Sequence, residues 1–144
     1  MAAAGGWRCV LAFDFGSRKI GVAVGQSTTG CASPLTTLPC LAGLPDWRAI
    51  EALVAEWQAD ILVVGLPRPA DGGETALTRQ VRSFASQLAG RTRRAVALVD
   101  ERLSSAEARA RLGQRRGRGK SASVDAVAAS VILESWLESG GVRP

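Results

Sequence analysis

Two short apolar runs separated by an amphipathic helical pattern constrain the fold of this chain more than any other feature. Residues 8 to 14, Arg-Cys-Val-Leu-Ala-Phe-Asp, and 60 to 67, Asp-Ile-Leu-Val-Val-Gly-Leu-Pro, are nearly continuous in apolar residues. That is the pattern of a strand covered on both faces, as in the interior of a sheet flanked by helices. Ala95 to Val99 repeats it and predicts a third buried strand. Between the first two, Asp46 predicts the cap of a helix whose Ile50, Leu53, Val54 and Trp57 fall on one stripe. Between the second and third, Leu77, Val81, Phe84 and Leu88 predict another helix, stopped at Gly90. Strands joined through helices run parallel by right-handed crossovers.

The segment after the first run departs from that plan. Gly16, Ser17 and Arg18 turn the chain straight into Ile20 to Val24, so the sheet opens on an antiparallel hairpin. Pro34 and Pro39 bracket a short piece, Leu35 to Leu38, that predicts a third, edge strand. Near the C-terminus, Ser104 with Glu107 form a capping box for a short helix that Gly113 would stop, and a last helix runs from about Ser123 to Glu138. The expectation is an α/β fold with a mixed five-stranded sheet, antiparallel at its start and parallel later, flanked by helices. A chain of 144 residues with 47% hydrophobic content suits a single domain over 1–144, with 1–7 and 140–144 expected to be flexible ends. No apolar run reaches the ~18 residues of a membrane span, and Met1 to Gly6 has no signal-peptide pattern, so the expected location is cytoplasmic with no membrane partner.

The chain contains no histidine, which removes imidazole general bases, histidine-ligated zinc and serine–histidine catalysis together. Its three cysteines, Cys9, Cys31 and Cys40, match neither a zinc knuckle nor a CxxC pair and read as reduced packing residues. What remains is chemistry built on oxygen ligands and hard cations. Three carboxylates stand at the ends or starts of apolar segments: Asp14 in AFDFGSRKIGVAVG, Glu101 in AVALVDERLSS and Asp125 in SVDAVAASVILESWL. Asp14 taken alone is also a turn-former, and alternation along the strand does not choose Glu101 over Asp100. Asp125 shares a helical stripe with Ala128, Ala129 and Ile132, which turns it towards the sheet. Unpaired charges so close to a core are costly, and like charges raise one another's pKa values unless a cation joins them. The three acids therefore predict a shared site for one or two Mg²⁺ or Mn²⁺ ions and a phosphodiester chemistry.

Taken together, DFGSRKIGVAVG, VVGLPRPADGGE, VDERLSS and KSASVDAVAASVILESWL, in this order and spacing, resemble the YqgF (RuvX) family over about residues 8 to 139. That resemblance implies a ribonuclease H-like fold and a metal-dependent nuclease. Asp14 takes the place of the family's first-strand aspartate, Glu101 that of the glutamate in its DER motif, and Asp125 that of the final-helix aspartate. The implied activity is maturation of the 5′ end of pre-16S rRNA, with resolution of Holliday junctions in DNA as the alternative. Arg68-Pro69-Ala70 after Gly-Leu-Pro, and Ser104 and Ser105, depart from the commoner family forms.

The net charge is +5, carried by 16 arginines and 2 lysines against 13 acids. Guanidinium forks suit phosphate better than ammonium point charges, so structured RNA or branched DNA is the expected partner. An arginine-favouring genome would give the same bias. Arg109, Arg111, Arg115, Arg116, Arg118 and Lys120 form a basic run with no acid among them, directly before the helix that carries Asp125. A solvated surface has that composition too, but the position favours a substrate-guiding loop that is mobile when free, with Arg115, Arg116, Arg118 and Lys120 on phosphates. Arg18 and Arg102 flank the acids and are candidates for the scissile phosphate or for structural ion pairs. Two other functions fit parts of the sequence. DFGS before an apolar strand also resembles the phosphate loop of ATP-dependent phosphotransferases, but those need two such domains. A non-catalytic nucleic-acid-binding module of the same fold is the other, against which the three retained acids count.

Overall fold

The computed structural model describes residues 7–16, 18–67, 71, 73–100 and 124–139. Within them the order is β1 (Cys9–Phe15), β2 (Lys19–Gln26), β3 (Cys31–Leu41), β4 (Leu44–Pro45), α1 (Trp47–Trp57), β5 (Ile61–Leu66), α2 (Ala76–Thr92), β6 (Ala95–Asp100) and α3 (Val124–Glu138). The short helix expected after Ser104 and the basic run lie outside the described residues. The strands form one mixed sheet in the spatial order β4-β3-β2-β1-β5-β6. Antiparallel pairing joins β1 to β2 and β2 to β3, and parallel pairing joins β1 to β5 and β5 to β6. The parallel neighbour expected for the first run is present in register, with Val10 opposite Ile61 and Phe13 opposite Val64.

The nearly unbroken apolar runs have a simple physical cause. Side chains alternate across a strand, and here both faces are covered. Leu11, Phe13 and Phe15 of β1, with Leu62, Val64 and Leu66 of β5, pack on Ile50 and Val54 of α1 and Val81, Phe84 and Leu88 of α2. Val10 and Ala12, with Ile61 and Val63, pack instead on Ala129, Ile132, Leu133 and Trp136 of α3. Phe84 anchors the first face, with its ring centroid 4.9 Å from Phe15, 6.1 Å from Phe13 and 5.4 Å from Trp47. Trp7 meets Trp136 at 5.6 Å on the second.

Four details differ from the expectation. The sheet has six strands rather than five, because the turn after β3 folds back as the two-residue β4, pairing Leu41 with Leu44. The third strand is eleven residues long and runs through both prolines, which an edge strand tolerates. β6 is an edge strand, largely half-buried, with Leu98 41% exposed, so the third apolar run is not a buried strand. Gly90 does not stop α2. The helix continues to Thr92 and is capped by Arg93 in the left-handed conformation at φ 58°, because a glycine in an exposed last turn costs only about 1 kcal/mol. Asp46 caps α1 as expected, its carboxylate accepting from the amide of Ala49.

Candidate nuclease site at the carboxyl end of the sheet

Parallel strands point their carboxyl ends the same way, and the crevice outside those ends is where open α/β sheets place ligands. Here β1, β5 and β6 end together at Phe15, Leu66 and Asp100. Asp14, one residue before the end of β1, lies opposite Gly21 of β2. Cross-strand partners carry their side chains on the same face of the sheet. For this pair it is the α3 face, since alternation puts Asp14 with Val10 and Ala12, both packed on α3.

α3 reaches this point with its first turn. Asp125 is its second residue and half-buried, and its carbonyl lies directly over Gly21, where a Cβ would stand 1.9 Å from the carbonyl oxygen. Asp14 and the backbone of Asp125 are therefore brought to one face of one sheet end, where α3 rests on the backbone of Gly21. The small residues of α3 account for the approach: Ala126 and Ala129 are buried, and Ser130 is fully buried with its hydroxyl donating to the carbonyl of Val127 at 2.6 Å.

Two loops border this end. In the β1–β2 turn Arg18 is exposed, and its carbonyl accepts from the amide of Cys40 at 2.8 Å, tying the turn to β3. After β5, the chain is fastened to the start of α2 by Thr78, which is fully buried and donates to the carbonyl of Pro67 at 2.6 Å. Thr75 and Thr78 complete a reciprocal cap at the same helix start. Thr78 and Gly21 were not singled out from sequence. A glycine inside an apolar strand is a known mark of close backbone approach, so Gly21 had a signal. The buried threonine had none.

Glu101, Arg102, Arg115, Arg116, Arg118, Lys120 and the departing tripeptide at 68–70 lie outside the described residues. Asp100 is described: it pairs with Leu66, and its parity follows Val96, which packs on the α1 and α2 side, away from Asp14 and Asp125. No cluster of three metal-ligating side chains is found among the described residues. The donor set that is described fits a hard cation nonetheless, since it consists of carboxylates alone. The cysteines stand apart from it. Cys31 is exposed on β3. Burial, and secondarily the charge of Asp60, pushes the Cys9 thiol up, and burial likewise raises Cys40.

A sequence model described as RuvX, Holliday junction resolvase, matches residues 8–139. The chain belongs to this family. It is 53% identical over 134 residues to a protein of Pectobacterium carotovorum subsp. carotovorum, covering 92% of this chain and 96% of that one, and 52% identical over 135 residues to a protein of Edwardsiella ictaluri, with the same coverage. Both relatives carry the name "Putative pre-16S rRNA nuclease". Among solved structures, Thermus thermophilus RuvC in complex with a Holliday junction substrate superposes with a TM-score of 0.61 at 14% identity, over 95% of this chain and 99% of that one. A yeast mitochondrial Holliday junction resolvase gives 0.53 at 11% identity, over 98% and 81%. At such identities the likeness is one of fold, and it makes the RuvX chain ribonuclease H-like, as its motifs implied.

Proposed function

We propose that this RuvX-family chain is a metal-dependent endonuclease that hydrolyses phosphodiester bonds at the carboxyl end of its sheet, acting on the 5′ precursor region of 16S rRNA. The observation that supports the reading is the seat of α3 on Gly21: the backbone of Asp125 lies over the residue that pairs with Asp14. Glu101 completes the proposed set. Its place in the set rests on the DER motif of the family resemblance and on its position directly after β6, which ends at Asp100.

Asp14, Glu101 and Asp125 would hold one or two Mg²⁺ or Mn²⁺ ions through carboxylate oxygens. When bound, such an ion supplies Lewis-acid chemistry to a phosphodiester. The rest is done by the chain. Converging carboxylates would offer oxygen ligands to a hard cation, and without histidine no imidazole takes part in proton transfer. Hydrolysis joins a water oxygen to phosphorus and releases one ester oxygen. Arg18 and Arg102 are proposed to neutralise the scissile phosphate, and Arg115, Arg116, Arg118 and Lys120 to hold the flanking backbone.

The RNA assignment rests on the names of relatives about half identical over nearly their whole length. Junction DNA is the second reading, favoured by the family's description and by the junction-bound RuvC of the same fold. Cleavage of a 16S 5′ precursor and of a four-way DNA junction, side by side with Mg²⁺ or Mn²⁺, tests both. Cleavage of the RNA by the wild type and not by Asp14→Asn is expected. Cleavage of the junction alone would replace the first reading with the second, and equal activity of Asp14→Asn would remove the site.

A further inference from the structure

The contact between α3 and β2 at the site has no side chain in it. A Cβ on Gly21 would lie 1.9 Å from the carbonyl oxygen of Asp125, 2.2 Å from its carbonyl carbon and 2.9 Å from the amide nitrogen of Ala126. All three are backbone atoms, so no rotamer change makes room. The first turn of α3 has to rise by roughly 1 Å or more before the nearest contact reaches 3.0 Å. Backbone conformation is not the reason for glycine here, since among the described residues only Gly30 and Gly43 are glycines with positive φ. Space is the reason.

A second glycine on the same face of the same strand shows what is particular about the first. At Gly25 the nearest neighbour to a Cβ is a methyl of Leu133 at 3.1 Å, followed by the carbonyl oxygen of Cys31 and a Val10 methyl, both at 3.3 Å. Small shifts there relieve an added methyl group. Of the two, the glycine that tolerates no methyl is the one opposite Asp14.

We propose that Gly21 is a positioning residue of the nuclease site: its missing side chain sets the height of Asp125 above the sheet and so the spacing between Asp125 and Asp14. The proposal rests on the metal-dependent reading of those acids. Mg²⁺ demands near-ideal octahedral geometry, so a ligand lifted by that much no longer reaches its place.

The test compares full-length Gly21→Ala, Gly25→Ala and Asp14→Asn for thermal unfolding, Mn²⁺ affinity by electron paramagnetic resonance, nucleic-acid affinity and single-turnover cleavage. Gly21→Ala is expected to cut cleavage by about 100-fold, the scale of a 1 Å misplacement, and to weaken Mn²⁺ binding by ~10-fold or more. Nucleic-acid affinity should hold. Gly25→Ala should follow its folded fraction in every readout. Adding Asp125→Glu to Gly21→Ala lengthens the lifted ligand by one methylene and should recover part of the Mn²⁺ affinity, which a merely structural role would not allow. Should Gly21→Ala fail to fold, Ala129→Val, one turn further along α3, lifts the same helix start and should weaken Mn²⁺ binding. Normal Mn²⁺ affinity and cleavage in the folded variant overturn the positioning role. Normal Mn²⁺ affinity and cleavage in Asp14→Asn overturn the site itself, a result separable from the first because Gly21 is untouched.

Discussion

An aspartate stands at each end of β1, Asp60 beside its start and Asp14 near its end, and their surroundings differ. At the amino end, Asp60 from the start of β5 accepts from the backbone amides of Arg8 at 2.7 Å and Cys9 at 3.0 Å, while its own amide donates to the carbonyl of Cys9 at 2.8 Å. That carboxylate closes a joint between two parallel strands. At the carboxyl end, Asp14 lies opposite Gly21, over which the backbone of Asp125 in the first turn of α3 sits. Backbone amides hold the charge of Asp60 within the chain, whereas Asp14 is proposed to meet a cation from outside. On that proposal, an acid at a strand end is architectural or chemical according to what meets it.

The comparison breaks first at Asp14. Asp14→Asn should reduce cleavage by about 100-fold or more, roughly 2.7 kcal/mol of transition-state stabilisation, while the melting temperature without metal stays level or rises as like-charge repulsion falls. A melting temperature that drops sharply would make Asp14 another joint. Asp60→Ala should do the reverse. Losing a charged acceptor from two amides should cost about 1 to 3 kcal/mol, seen as a fall of several degrees in melting temperature, with turnover per folded molecule unchanged. Metal sharpens the contrast further: Mg²⁺ should raise the melting temperature of the wild type and of Asp60→Ala but not that of Asp14→Asn. The smallest effect concerns the basic run. Replacing Arg115, Arg116 and Arg118 by alanine should flatten the slope of log affinity against log salt by up to ~0.9 for each duplex phosphate no longer neutralised, or ~0.7 on single strands. An unchanged slope would make those arginines a solvated surface.

Sequence distinguished the central strands better than the edges. Val10 to Phe13 and Ile61 to Val64 announce themselves because both of their faces are covered. Ala95 to Val99 has the same composition with much less cover, since composition records what a strand can bury and not where the sheet stops. Gly90 misled for a related reason: glycine favours a helix end, but Arg93 took the left-handed position instead. In the candidate site, Asp14 and Asp125 were legible from where they interrupt apolar runs. What seats α3 there was only partly legible: Gly21 inside an apolar strand marks a close backbone approach but does not say which element makes it.

One consequence of β3 reaches beyond this chain. Among the described residues, this eleven-residue strand is paired on its outer side only at Cys40 and Leu41, and such an edge is a template on which a neighbouring molecule could add a strand of its own. Since the amide of Cys40 points inward to Arg18, the nitrogen of Pro39 points outward, and it has no hydrogen to offer. Pro34 stands beside the register shift between Val22 and Ala23, where the strand bends. Between them only four residues of unbroken edge remain, too few to recruit a partner by backbone pairing. The prolines therefore shorten the stretch of this edge open to fibril-like pairing.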